Sequence, residues 1–141
     1  MTKTALLFML LCITIVHSGA AQIVPKDIKA QMTVLDNICQ TCLDAGSIPF
    51  SECEKNRQRK LDTMLNTVYR ELRITLDQET IEKLKKDERA WLKKRNANIE
   101  QEQSKIGRSD AGIDADEAMA IASDSYFIEQ RILELLKKLK K

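Results

Sequence analysis

Histidine is confined to one position in this chain, and that position, His17, directly follows the first apolar run. The run, ALLFMLLCITIV, follows Lys3 and leads into Ser18, Gly19, Ala20 and Ala21. A positive start, a short apolar stretch and small residues, in that order, predict a secretory signal peptide over residues 1–21, cleaved after Ala20 or Ala21. A membrane span needs about 20 apolar residues, so the run is too short to cross a bilayer comfortably. Cys12 follows Leu11 inside the run instead of standing at the cleavage point, which argues against a lipid anchor. His17 leaves with the leader, so residues 22–141 hold no imidazole. That removes Ser-His and Cys-His nucleophilic pairs and every histidine metal site.

Neither sign of charge dominates. Lys and Arg number 23 against 21 Asp and Glu, a formal net charge of +2, which loss of Lys3 lowers to +1. Such balance excludes nucleic acid as an obligatory partner. Cysteine is sparse too: Cys39, Cys42 and Cys53 remain after the leader. In an oxidising compartment an odd number means one bridge plus a free thiol, or a bridge between molecules. Zinc would need a fourth ligand that no histidine supplies, so neither a metal nor a cofactor is expected. Residues 22–141 suffice for one domain with its own core, and not for two.

Sustained period-two alternation, the mark of a half-buried strand, is also missing. Three- and four-residue spacing takes its place. In DIKAQMTVLDNICQTCLDAG it picks out Ile28, Met32, Leu35, Ile38, Cys39 and Cys42, predicting a short amphipathic helix that stops near Gly46 and Pro49. A second helix follows Ser51, read as its N-cap with Glu54 completing a capping box, and carries Leu61, Leu65, Val68, Leu72 and Leu76. Asp77 caps a third, with Ile81, Leu84, Trp91, Leu92 and Ile99 in phase. KIGRSDAGI, holding Gly107 and Gly112, reads as a loop. Asp114 and Glu117 then signal a last helix with Ala118, Ile121, Ala122, Ser125, Ile128, Ile132, Leu135 and Leu139 on its stripe. The fold class is all-α: a compact antiparallel bundle of three long helices plus a shorter N-terminal one.

The single tryptophan sits in DERAWLKKRNANIE, crowded by charge. Helical phase puts Leu84, Glu88, Trp91 and Arg95 on one side, so the apolar stripe contains ions. Arg95, one turn on, can lay its guanidinium on the indole, and Glu88 can pair with it or with a cation of another helix. Asp62, Asn66 and Tyr69 share a face of the preceding helix, and Arg131 stands between Ile128 and Ile132. Polar groups turned inward must be hydrogen-bonded, so these residues are expected to form a network across the interior. Tyr69, Trp91 and Arg95 at such spacing build a core sooner than they grip a partner.

LDTMLNTVYREL, DERAWLKKRNANI and EQRILEL, in that order, resemble the D-x-x-L-N-x-x-Y, Q-x-x-W-x-x-x-R-D-A and R-x-x-E-L signatures of the lysozyme inhibitor LprI-like N-terminal domain family, small exported bacterial helical proteins. The resemblance runs from about Cys42 to Leu136, within a single domain over residues 22–141. The chain departs from the pattern at Glu88, where the family has Gln, at Asn96, where it has Asp, and at Ile99 and Ser123, where it has cysteines. Loss of that pair beside retention of Cys42 and Cys53 implies one disulfide, Cys42 to Cys53, with Cys39 as the alternative partner of Cys53.

The function implied by the resemblance is that of an exported protein that occludes a glycosidase cleft without chemistry of its own, and whose partner is a lysozyme. Arg108, in the glycine-flanked loop, is the candidate contact residue. The competing reading is an envelope structural or adaptor module that binds another protein or an anionic surface. Lys137, Lys138, Lys140 and Lys141 would serve the latter, although cations in a last turn also suit the helix dipole. An enzyme built on Glu88 with Asp62 is the weakest class, because carboxylates that face arginines inside a fold look structural.

Overall fold

The computed structural model describes residues 25–139. Residues 1–24, with the expected leader and its Cys12 and His17, and the last two lysines, Lys140 and Lys141, lie outside the described residues. Four helices make up the fold: α1 (Pro25–Ala45), α2 (Phe50–Thr75), α3 (Gln78–Gln103) and α4 (Ile113–Lys138). Among the described residues there is no strand, and no helix is long and apolar enough to cross a membrane.

Consecutive helices run antiparallel. Cys42 meets Cys53 and Asp36 meets Arg57 across α1 and α2, whereas Asp87 meets Lys138 and Arg95 meets Asp124 across α3 and α4. The pairs Phe50–Asp114, Lys55–Glu117 and Gln58–Asp124 advance together, so α2 and α4 lie parallel and form the most intimate pair. Helix α1 lies on α2, and α3 lies on α4. Between them the core gathers Ile28, Met32 and Leu35 from α1, Leu61, Leu65, Val68 and Leu72 from α2, Leu84 and Trp91 from α3, and Ile128, Ile132, Leu135 and Leu136 from α4. Each such side chain withdrawn from water contributes on the order of 1.5–3 kcal/mol before the entropy of ordering is subtracted.

The apolar stripe of α1 is narrower than its sequence spacing suggests. Ile38 is 60% exposed while Cys39 is buried, because a helix that rests chiefly on one neighbour can hide only a narrow strip. Cys42 and Cys53 form the disulfide, with Cα atoms 5.9 Å apart, and Cys39 is a free, buried thiol. The bridge closes the α1–α2 turn, where Gly46 adopts φ 57° after the last turn of α1.

Helix starts divide into local and borrowed caps. Asp77 caps α3 locally: its carboxylate accepts from the Thr80 N–H at 2.8 Å and from the Thr80 hydroxyl at 2.9 Å. The expected capping box at Ser51 does not form. Pro49, at φ −54°, is the N-cap, and α2 begins at Phe50, so Ser51 already lies inside the first turn. Asp114 of α4 supplies the acceptor, taking the Phe50 N–H at 2.8 Å and the Ser51 N–H at 3.2 Å. Glu54 turns instead to α1 and accepts from the Cys39 thiol at 3.5 Å. With Asp114 engaged on α2, α4 starts from Gly112 with no side-chain cap.

Candidate functional site

Two regions gather the residues singled out from the sequence: a polar seam through the middle of α2, α3 and α4, and the end of the bundle formed by the α1–α2 turn and the α3–α4 loop.

The seam has two arginine nodes. Arg95 forks onto Asp124, with Nε to Oδ1 and Nη2 to Oδ2 both 2.7 Å, and reaches Asp62 of α2 through Nη1 at 3.1 Å. Gln58 donates to the same Asp124 at 2.7 Å. Fork-to-fork pairing with a nearly buried carboxylate is the strong form of this interaction, and Asp124, then Asp62, hold the Arg95 guanidinium firmly in its charged form. Arg131, its side chain only 1% exposed, donates to Glu88 from Nε at 3.1 Å and from Nη2 at 2.7 Å, and to Glu134 at 3.0 Å. Asp87 lies 3.0 Å from Nη2. Burial works to raise the Asp87 carboxyl, but Arg131 and then Lys138 outweigh it and hold the group below the usual carboxylate range.

Trp91 joins the nodes. The Arg95 and Arg131 guanidinium carbons stand 5.6 and 5.7 Å from its ring centroid, and Phe127 lies 6.0 Å away in a tilted arrangement. The indole is 9% exposed and belongs to the core. Glu88 therefore pairs with a cation of another helix, not with Arg95. Tyr69 is half-buried against the core. Asn66 stands outside the network: it is exposed, because it follows the buried Leu65 directly and one residue turns a helix by about 100°.

Two members escaped the sequence reading. Asp124 is 2% exposed and anchors the Arg95 node; it precedes Ile128 by four and Arg131 by seven, the phase of the buried stripe, which is the signal that marks it. Arg57 of α2 pairs with Asp36, Glu54 and Glu129, and burial raises the Glu129 carboxyl, although Arg57 opposes it. Apart from Glu54, three residues before Arg57, nothing local in the sequence brings that set together, since Asp36 and Glu129 are 21 and 72 residues from Arg57. In the seam Arg95, Arg131 and Arg57 each have carboxylate counter-ions. Among the described residues no cluster of His, Cys, Asp or Glu could hold a metal.

The loop end is built differently. Gly107 and Gly112 take φ 76° and 92°, a region that favours glycine, and so let the chain reverse between α3 and α4. Asp116, 8% exposed, holds this loop from inside: its carboxylate accepts from the Ser109 hydroxyl, from the Gly107 N–H at 2.7 Å and from the Ser109 N–H at 3.3 Å. The Ser109 hydroxyl first, and then the backbone N–H groups, hold the Asp116 carboxyl below its ordinary value. Arg108 lies between the two clamped residues with its side chain exposed. The end of the bundle where α2 and α4 begin also exposes Ile48, Phe50, Ile113 and Met119 at 39%, 45%, 69% and 67%. At the far end, Lys138 donates to Asp87 at 3.2 Å, whereas Lys137 is exposed.

Two depressions open near the loop end. A cleft of about 400 Å³ between α2, α3 and α4 has Arg95 and Asp124 in its wall and the Lys55–Glu117 pair, 2.9 Å apart, beside them. An apolar groove of about 430 Å³ between α1, α2 and α4 is walled by Leu43, Phe50 and Met119.

No curated protein and no solved structure matches the chain. A family model does match, over residues 39–135, from the free thiol Cys39 on α1 through Arg131 to the core Leu135 of α4. That span includes the disulfide, the seam and the loop, and by it the chain belongs to the family described as Lysozyme inhibitor LprI.

Proposed function

We propose that the chain is an exported inhibitor that binds a lysozyme and covers its cleft with the loop end of the bundle, Arg108 foremost. The observation that carries this reading, beside the family match, is the Asp116 clamp, which fixes the backbone on both sides of an exposed arginine. A glycosidase cleft works through paired carboxylates, and a guanidinium held on a rigid loop is suited to engage them bidentately. A loop already ordered before binding also loses less conformational entropy on association. The exposed Ile48, Phe50, Ile113 and Met119 add apolar surface at the same end of the bundle for a partner to cover. No step of chemistry belongs to this role, in keeping with ions that are paired throughout the seam.

The reading includes cleavage of residues 1–21 and a mature domain over residues 22–141, which mass analysis of the exported product checks by a start at Ala21 or Gln22. Inhibition is checked by following lysis of bacterial cell walls by a basic lysozyme with increasing amounts of the purified protein. Saturable loss of lysis is expected. Full lysis at micromolar excess would reject inhibition and leave an adaptor role.

A further inference from the structure

The apolar groove between α1, α2 and α4 has a chemical bias that the inhibitor reading does not use. Its walls are Leu43, Phe50 and Met119, with alanines of α4 beneath. Its only charged lining residues are Asp44 and Glu54, both acidic. In the neighbouring cleft Lys55 faces Glu117 and Arg95 faces Asp124, whereas of the two carboxylates lining the groove Glu54 has a cation nearby, Arg57, and Asp44 has none among the described residues. Glu54 is 9% exposed, and its Oε2 has no hydrogen-bond donor. The Arg57 Nη1 lies 3.7 Å away, beyond hydrogen-bond distance. Asp44 is exposed and meets only the neutral Gln40 amide, at 2.8 Å. A groove with an apolar wall, an acidic rim, and a carboxylate oxygen with an ion-pair partner but no hydrogen-bond donor is complementary to one kind of group: an apolar stem that ends in a cation.

The geometry points to this groove as the seat for a lysine side chain of a basic protein partner, its methylenes against Phe50 and Met119 and its ammonium toward Asp44 and Glu54. This deepens the inhibitor reading and rests on it for the identity of the partner. Lysine stems commonly lie along apolar surface while the charged head seeks a polar group. The groove and the Arg108 loop belong to the same end of the bundle, where α2 and α4 begin.

The test uses the purified full chain and three probes of equal length: hexylammonium, hexanol and hexanoate. The readout is the methyl NMR signals of Met119 and of Ala115, Ala118 and Ala122, which line the groove. Hexylammonium should shift these signals saturably and more tightly than hexanol, and hexanoate should not. Asp44→Asn should weaken hexylammonium by about threefold, the scale of one exposed ion pair. Equal binding of hexanoate, or no response to hexylammonium, overturns the proposal. A second arm measures inhibition of a basic lysozyme before and after acetylation of its lysines. Groove binding of hexylammonium with no inhibition of either form leaves the lysine seat standing and removes the inhibitor reading. Inhibition that survives lysine acetylation undiminished removes the lysine seat and leaves the inhibitor reading.

Discussion

Arg131 and Arg108 stand 23 residues apart and meet opposite fates. In the seam, the Arg131 side chain is 1% exposed and three carboxylates surround it, with the Trp91 ring 5.7 Å from its guanidinium carbon. At the loop end, Arg108 is exposed, and only the backbone on either side of it is held, by Asp116. The same contrast runs through the apolar residues. Leu61, Val68 and Ile128 of the seam side are fully buried while Ile113 and Met119 of the loop end are more than half exposed, as are Ile74 and Tyr126 elsewhere on the surface. A buried arginine with its counter-ions satisfied has no valence left for a partner, whereas an exposed one on a fixed loop keeps all five donors. The comparison teaches that this bundle separates the residues that hold it together from those that can meet another molecule.

The largest effect expected from breaking the seam is at Trp91. Trp91→Ala removes the ring shared by both arginine nodes and should cost about 3–5 kcal/mol, read as a lower urea midpoint. A loss below about 1 kcal/mol would place the indole outside the core. Next comes Arg95→Met, which strands Asp124 at 2% exposure. Removing one partner of such a pair costs about 3 kcal/mol, and Asp124→Asn in the same chain should recover part of that loss. If the two changes simply added, Arg95 and Asp124 would not be coupled.

Opening the disulfide should cost slightly less. A bridge across 11 residues restrains the unfolded chain by about 2–3 kcal/mol in the entropy model, so Cys42→Ser should lower the midpoint accordingly. The Cys39 thiol is a slow substitute: burial, then the neighbouring Glu54 carboxylate, push it up to about 11. It should resist alkylation at neutral pH in the folded chain. Rapid labelling of native Cys39 would contradict that.

Acid sharpens the comparison from the loop side. Asp114 is held low by the Ser51 hydroxyl and by the Ser51 and Phe50 N–H groups, and Asp116 by the Ser109 hydroxyl and the loop N–H groups. Their folded-state values lie below the unfolded ones. Their stabilisation is therefore complete above the unfolded carboxylate value of about 3.9 and is lost as pH falls through the lower folded value. Amide exchange at Gly107, Ser109 and Ser51 should accelerate below about pH 4 before the seam amides respond. Simultaneous release of both regions would mean the loop end is not a separate unit.

How far this division could be read from residues alone depended on distance along the chain. Asp77 was legible as a cap because its target, Thr80, is three residues away. Asp114 marked the start of its own helix, but its bonds to Phe50 and Ser51 were not legible, because those residues are 64 and 63 away and become neighbours only when α2 and α4 align. Leu61, Leu65, Val68 and Leu72 declared the buried face of α2 by period, yet the same period drew in Asn66, since a four-residue step advances 40° and carries an edge position into solvent. Asp124 was passed over because a lone carboxylate in an apolar stripe is expected to face water unless a partner is known, and that partner, Arg95, lies on another helix. Arg108 was visible from its flanking glycines. The Asp116 clamp that gives the loop its order was not, because Asp116 reads as one more acidic residue of a helix start.

The smallest expected effect on stability is also the most direct test. Arg108→Ala should leave the melting curve of the purified protein nearly unchanged, within about 0.5 kcal/mol, while weakening inhibition of a basic lysozyme by about tenfold or more, as loss of a central arginine contact does. Undiminished inhibition by Arg108→Ala, measured on the same sample as its melting curve, would contradict the assignment of partner contact to the loop end.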